Sequence, residues 1–203
     1  MVRSHVSAMA RKTRSVSVKR FFDLTLACLF MPFLALPMLY LAVQVKKSSP
    51  GPVLYWSARI GRNNRIFMMP KYRSMFVETP EVATHLLKDS ESHITPLGKW
   101  LRRTSLDELP QIYSIIIGHM SFVGPRPALF NQEDLKKMRT EKGVHKLKPG
   151  LTGLAQINGR DEISLEAKVK LDAEYLRKTN LWFDIQILWK TVLRVLRRDG
   201  ISH

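Results

Sequence analysis

Phe21 to Val45 reads FFDLTLACLFMPFLALPMLYLAVQV. The run is long enough to cross a bilayer core, which takes about 20 apolar residues. Three features argue against a simple crossing: Asp23 lies near one end, Pro32 and Pro37 interrupt the middle, and both flanks are basic. Proline removes a backbone donor and clashes with the preceding turn, so two of them close together favour a bend. Lys19 and Arg20 on one side face Lys46 and Lys47 on the other, so the charge bias that normally orients a span selects no direction. A helix–bend–helix entering and leaving one leaflet would set both basic ends at the same anionic surface. A plain span and a buried helix stay open on the residues alone. No small-x-small cleavage site follows the run, which argues against a signal peptide. Membrane attachment is the expectation.

Around this segment the chain is strongly basic. Its 203 residues carry 33 Lys and Arg against 17 Asp and Glu, a formal charge of +16. Such an excess calls for an anionic partner: nucleic acid, an anionic membrane surface or a phosphorylated substrate. From Met1 to Val77 the only acidic residue is Asp23. The bias surrounds the apolar run, which favours a membrane surface. The length allows one full domain plus an extra element. With the single Cys28, no intramolecular disulfide can form and nothing suggests an oxidising compartment.

Downstream, Pro50-Gly51-Pro52 breaks the helix. Val53 to Trp56 and Ile66 to Met68 read as short extended segments around a Gly61–Asn64 turn. Glu78 to Ser92 reads as surface helix and loop, Asn131 to Lys142 as a charged helix, and Ser164 to Lys178 as a helix capped by Ser164. "GPRP", Gly124 to Pro127, must be irregular because its prolines forbid helix and ladder alike. "KPGLTGLAQINGR", Lys148 to Arg160, reads as a glycine-punctuated loop with a hairpin-like Asn158-Gly159 turn. Leu181 to Arg198 puts Leu181, Ile185, Leu188, Val192 and Val195 on one stripe, with Trp182, Trp189 and basic residues beside it. That pattern suits an interfacial helix on anionic lipid and a core helix with a solvated basic face equally well; the upstream apolar run favours the interface.

Asp107 and Glu108 lie in "SLDELPQ", Ser105 to Gln111, ahead of the apolar run Ile112 to Ile117. With Asp107 as N-cap, Pro110 falls where a missing N–H costs no helical bond. With Ser105 as cap, Ser105 and Glu108 form a capping box and Pro110 kinks the helix. Acids at a helix start are also favoured by its dipole, so a structural role suffices for the pair. Its neighbourhood suggests more. Arg102 and Arg103 lie just upstream, and Lys71, Arg73, Arg126 and Arg160 sit in or beside loops. A carboxylate attacking a phosphoryl group needs such cations, and a divalent metal often helps. Gly150 and Gly153 could let backbone approach a phosphate, though they match no P-loop or dinucleotide fingerprint. The six histidines show no metal-ligand spacing, which makes a zinc site unlikely on this pattern.

Taken in order, "KRFFD" (Lys19–Asp23), "SPGPV" (Ser49–Val53), "KYRSM" (Lys71–Met75), "SLDELPQ", "MSFVGPRP" (Met120–Pro127) and "KPGLTGLAQINGR" resemble the bacterial sugar transferases, the monotopic phosphoglycosyltransferases. The resemblance runs from about Val18 to Gly200 and looks like the family's minimal catalytic form. It implies an α+β, mostly helical fold: a basic tail over 1–18, a membrane-embedded re-entrant helix over 19–47, and a cytosolic catalytic domain over 48–203 forming one unit with that helix, with short strands and interfacial amphipathic helices. It also implies transfer of a sugar 1-phosphate from a UDP-sugar to polyprenyl phosphate at the cytoplasmic face of the bacterial inner membrane, with release of UMP. Asp107 matches the family's nucleophile and Glu108 completes the dyad, with magnesium as the metal the pair would serve. Lys71 and Arg126 match positions that contact the diphosphate or uridine; Arg73, Gln156 and Arg160 are further substrate-binding candidates. One departure matters. Members commonly carry Ser-Pro at the break in the membrane helix, whereas here Met31 precedes Pro32 and Leu36 precedes Pro37. A membrane-tethered nucleic-acid-binding module is the competing reading; it calls for aromatic residues interleaved with Lys and Arg, which are not evident, so no nucleic-acid partner is expected.

Overall fold

A computed structural model describes residues 2–79, 91–159 and 163–197, so most of the Glu78–Ser92 segment lies outside the described residues. Helix α1, Val2–Ser48, contains the apolar run and remains helical through Pro32 and Pro37. The break expected at one of these prolines does not interrupt the backbone. Both lie on the exposed side of the helix, where the carbonyls of Cys28 and Phe33, deprived of a donor four residues on, face away from the domain. On the opposite side Asp23, Ala27, Leu41 and Val45 are buried, with Met31, Leu34 and Met38 half-buried between them. Their three- and four-residue spacing makes one stripe along the helix. The outer face is apolar too. Phe21, Leu29, Phe33, Leu36, Leu39, Tyr40 and Val43 are exposed, Phe33 and Leu36 to 74% and 76%.

Polar contacts fix both ends of this stripe. At the base, Asp23 Oδ1 accepts from Ser121 Oγ at 3.0 Å and Phe122 N at 3.1 Å. Lys19 Nζ pairs with Asp184 Oδ2 at 2.6 Å, and Tyr175 donates to Asp184 Oδ1 at 2.6 Å. The Arg20 guanidinium donates to the carbonyls of Ile115 and Ile116. These carbonyls close the C-terminus of the helix Ile112–Ile116, where a cation is favoured by the dipole. At the far end Tyr72 donates to Met38 O at 2.7 Å. The "KRFFD" motif is thus a buried polar lock between α1 and the domain.

Strands β1, Leu54–Ile60, and β2, Ile66–Tyr72, form an antiparallel hairpin in which Tyr55 pairs with Lys71 and Arg59 with Phe67. A 3-10 turn over Arg62–Asn64 joins them, with Asn63 and Asn64 at positive φ, which Asn tolerates well. Helix α2, Pro96–Arg103, is capped by Thr95, whose Oγ1 accepts from Gly98 N at 2.9 Å. A 3-10 segment, Leu106–Gln111, runs into helix α3, Ile112–Ile116. Strand β3, Ser121–Val123, pairs in parallel with β4, Gly150–Thr152, and helix α4, Glu133–Glu141, lies between them in sequence. The chain closes with α5, Leu165–Lys178, capped by Ser164 as expected, and α6, Leu181–Arg197. Asn158-Gly159 ends a 3-10 turn over Gln156–Asn158 instead of making a hairpin.

The main core joins Phe67 and Met69 of β2, Ile112 and Ile115 of α3, Phe122 and Val123 of β3, Tyr175 of α5 and Ile187 of α6, with Ala27 of α1 inserted. A second cluster packs Leu41 and Val45 against Tyr72 and Leu101. Both hold α1 against the domain by apolar burial, at about 25 cal/mol per Å². Along α6, Trp182, Ile185, Trp189, Val192 and Val195 remain exposed, so its apolar stripe also turns partly outward.

Candidate active site

Helix α2 ends at Arg103, and the chain turns back through Ser105, whose left-handed backbone (φ 56°) costs a non-glycine residue roughly 1–2 kcal/mol. Ser105 makes no side-chain cap, so no capping box forms with Glu108. The cap question is settled by where the two acids point. Strand β2 packs alongside the 106–111 segment, and Lys71 near its end brings Nζ to 2.8 Å from Glu108 Oε1 and 3.8 Å from Asp107 Oδ2. Arg126 Nη2 lies 3.3 Å from the same Glu108 oxygen.

Two further cations complete the surround. Arg102, which donates Nε to Ser74 Oγ at 2.9 Å, interacts with Asp107. Arg59 interacts with Glu108 and Arg126. Burial is the main cause holding Asp107 above the usual carboxylate range; Glu108 adds to it, while Lys71, Arg102 and Arg126 oppose it. Burial also lowers Arg102, and pushes Arg59 down to about 10 with help from Arg126 beside it. Within this group four cations face two carboxylates. Such an excess, largely withdrawn from water, is attractive to a multiply charged anion.

Arg126 is held rigidly although its flanking prolines offer no N–H. The loop is gripped through its carbonyls instead: Arg139 Nη1 donates to Arg126 O at 2.8 Å, Arg59 Nη1 to Pro127 O at 3.2 Å, and Ile60 N to Ala128 O at 2.9 Å. Arg139 is itself fixed by Nε and Nη2 on Asp172 Oδ2 at 2.9 and 2.7 Å. Asp172 is almost fully buried, and that burial, set against Arg139, raises its pKa.

Asp107, Glu108, Lys71 and Arg126 therefore converge, and the other candidates do not join them. Arg73 directs its guanidinium to the carbonyls of Ser49 and Pro50, so it secures the chain where α1 ends. Gln156 donates to Leu151 O at 2.9 Å within its own loop. Arg160 lies outside the described residues. Gly150 and Gly153 meet the backbone of Gly124, and a Cβ on either would collide with it; their lack of side chains serves loop packing. Arg59 escaped the sequence reading, though its place opposite Phe67, with Lys71 on the same face of the hairpin, follows from strand alternation once the register is known.

Among the described residues no three His, Cys, Asp or Glu gather as a metal site. Two adjacent carboxylates alone suit a magnesium ion completed by substrate phosphate oxygens and water.

Carboxylates set inside a shell of partly buried cations form the kind of site that handles phosphoryl groups. The chain belongs to the bacterial sugar transferase family, whose family model matches residues 14–198. It is 36% identical over 205 residues to the undecaprenyl-phosphate galactose phosphotransferase of Salmonella typhimurium, covering 93% of this chain and 42% of that protein. It is 40% identical over 185 residues to the UDP-glucose:undecaprenyl-phosphate glucose-1-phosphate transferase of Escherichia coli, covering 87% and 40%. The uncharacterized sugar transferase EpsL of Bacillus subtilis is 38% identical over 188 residues, covering 92% of this chain and 91% of its own. The chain thus spans about two fifths of the first two relatives.

Proposed function

We propose that this chain moves a sugar 1-phosphate from a UDP-sugar to polyprenyl phosphate and releases UMP. The observation that carries the reading is the convergence of Asp107 and Glu108 with Lys71, Arg126, Arg102 and Arg59. The names of the galactose- and glucose-transferring relatives support the donor and acceptor classes.

In this reading an Asp107 oxygen attacks the β-phosphorus of the donor. The bond from that phosphorus to the bridging oxygen breaks, and UMP leaves with the electron pair. The resulting aspartyl-phosphosugar is then attacked by a phosphate oxygen of the polyprenyl lipid, which frees the Asp107 carboxylate. Lys71 and Arg126 offset the charge on the transferring group, and Arg102 steadies the ionised form of Asp107. Glu108 holds Lys71 and Arg126 in position. Asp107 and Glu108 would hold magnesium, which when bound further neutralises the diphosphate oxygens.

The outward apolar faces of α1 and α6 support attachment to the bacterial inner membrane, with the catalytic domain on its cytoplasmic side. Val18–Ser48 is long and apolar enough to cross a bilayer. The carboxylate site, however, belongs to the domain against which the whole inner stripe of α1 is packed. A domain held along the helix in this way fits re-entrant embedding, with α1 entering from one leaflet and its far end carried by the same domain. Purified protein given UDP-glucose or UDP-galactose, magnesium and polyprenyl phosphate should release UMP in step with lipid-linked sugar. Release of free sugar phosphate or UDP instead would contradict the reaction.

A further inference from the structure

A second basic cluster lies outside the carboxylate site. Helix α3 is followed by Gly118, whose left-handed backbone (φ 88°) closes the last turn by donating N to Ile115 O at 3.1 Å. Two basic side chains close over this point. A Cβ placed on Gly118 would lie 3.4 Å from Lys148 Nζ and 3.5 Å from Arg20 Nη2, at ordinary contact distance, so two cations from distant parts of the chain converge on one point of the backbone. Arg62, which donates Nε to Lys146 O, and Lys19 interact with the same Lys148 ammonium.

Compensation here is incomplete. Lys19 is taken by Asp184, and Asp23, an acid that acts on Lys148, already accepts from Ser121 and Phe122. Lys148 Nζ has no hydrogen-bond partner among the described residues, and burial together with Arg20 lowers its pKa. An ammonium partly withdrawn from water, facing further cations and lacking an acceptor, is unfavourable unless an anion supplies one. The rim shows where that anion comes from. Phe21, Ile116, Ile117 and Val18 are exposed at residues adjoining the Arg20 and Gly118 contacts, which gives the cradle an apolar border suited to an acyl or prenyl chain. None of these cations acts on Asp107. The helical stretch from Asp107 to Gly118 sets the two clusters roughly 17 Å apart along its axis.

We propose that Arg20, Lys148 and Arg62 around Gly118 form a cradle for the phosphate of a membrane lipid, separate from the carboxylate site. The proposal rests on the membrane-attached reading above. A lipid phosphate seated there would tie the base of α1 to the bilayer surface through the residues that lock α1 to the domain.

The test is thermal unfolding of the full chain in neutral detergent, titrated separately with phosphatidylglycerol, polyprenyl phosphate, phosphatidylcholine and inorganic phosphate. An anionic lipid should raise the melting temperature, while phosphatidylcholine and inorganic phosphate should not. Lys148→Gln and the exposed Arg62→Gln should each weaken the apparent affinity about tenfold, as expected for loss of one charge-assisted contact. Response to polyprenyl phosphate alone, weakened in Lys148→Gln and Arg62→Gln, would assign the cradle to that lipid; response to both lipids, weakened in the same variants, would assign it to anionic lipid in general. The proposal is overturned if neither lipid stabilises the protein, or if both variants respond as the parent does. Asp107→Asn should keep the full response to phosphatidylglycerol, which is no substrate of the carboxylate site, so failure of the catalytic reading leaves that result unaffected.

Discussion

Lys71 Nζ stands 2.8 Å from Glu108 and 3.8 Å from Asp107, so one ammonium is held tightly by one carboxylate and loosely by its neighbour. The unequal sharing leaves Asp107, the group proposed to attack, with no hydrogen bond to Lys71 to surrender first. It also makes Glu108 the anchor that places Lys71.

Removing Lys71 should therefore alter the acidity of Asp107 as well as the rate. Lys71 lowers the Asp107 pKa against burial, so its loss raises that pKa further. Lys71→Met should reduce turnover about a hundredfold or more. The acid limb of its pH–rate profile should move to higher pH, because Asp107 then ionises later. An unmoved limb would mean that Lys71 does not act on the nucleophile.

Asp107 should carry a stability cost. Its pKa is raised in the folded protein, with burial the first cause, so ionisation opposes folding. That cost is absent below the unfolded carboxylate pKa and fully present once the pH exceeds the folded value. Asp107→Asn should accordingly melt higher than the parent at pH 7 and converge with it in acid, while losing about a thousandfold or more of its turnover. Thermal scans across pH check both limits.

The Arg139–Asp172 pair should matter unequally from its two sides. Arg139→Met leaves a buried carboxylate unpaired and frees the Arg126 carbonyl, and should cost about 3–5 kcal/mol. Asp172→Asn leaves Arg139 an acceptor in place and should cost less. Denaturant titration of the two variants gives the comparison. In the folded fraction of Arg139→Met, KM for the UDP-sugar should rise as the Arg126 loop loosens.

The outer face of α1 should bind membrane without contributing to the packed domain. Phe33→Glu combined with Leu36→Glu changes two side chains that are about three-quarters exposed. Each charge costs about 2.5–3.5 kcal/mol in an apolar membrane environment. The double variant should stay folded in detergent yet leave the membrane fraction on vesicle flotation. Undiminished flotation would contradict membrane contact through this face.

Local patterns in the sequence carried much of the fold. The long apolar helix, the β1–β2 hairpin around its Asn-rich turn and the Ser164 cap each follow from neighbouring residues. The β3–β4 pairing was not legible, because two three-residue strands far apart in sequence carry no period of their own. Pro32 and Pro37 suggested a broken backbone, but both occupy the unpacked side, where a missing donor disturbs no contact with the domain. The acids and Lys71, which the structure brings together, were legible as candidates because they stand in short motifs. Arg59 was lost among many basic residues. Arg73 was a substrate-binding candidate beside Lys71, but β2 ends at Tyr72 and Arg73 directs its guanidinium to the end of α1.

The central claim is that Asp107 becomes covalently linked to the phosphosugar. Its most direct test is the intact mass of purified protein incubated with magnesium and a panel of UDP-sugars, without lipid acceptor. The account predicts a mass gain of one phosphosugar matched by UMP in solution, no gain in Asp107→Asn, and loss of the adduct when polyprenyl phosphate is added. Lipid-linked product formed by the parent with no adduct at any time, or by Asp107→Asn at an undiminished rate, would contradict it.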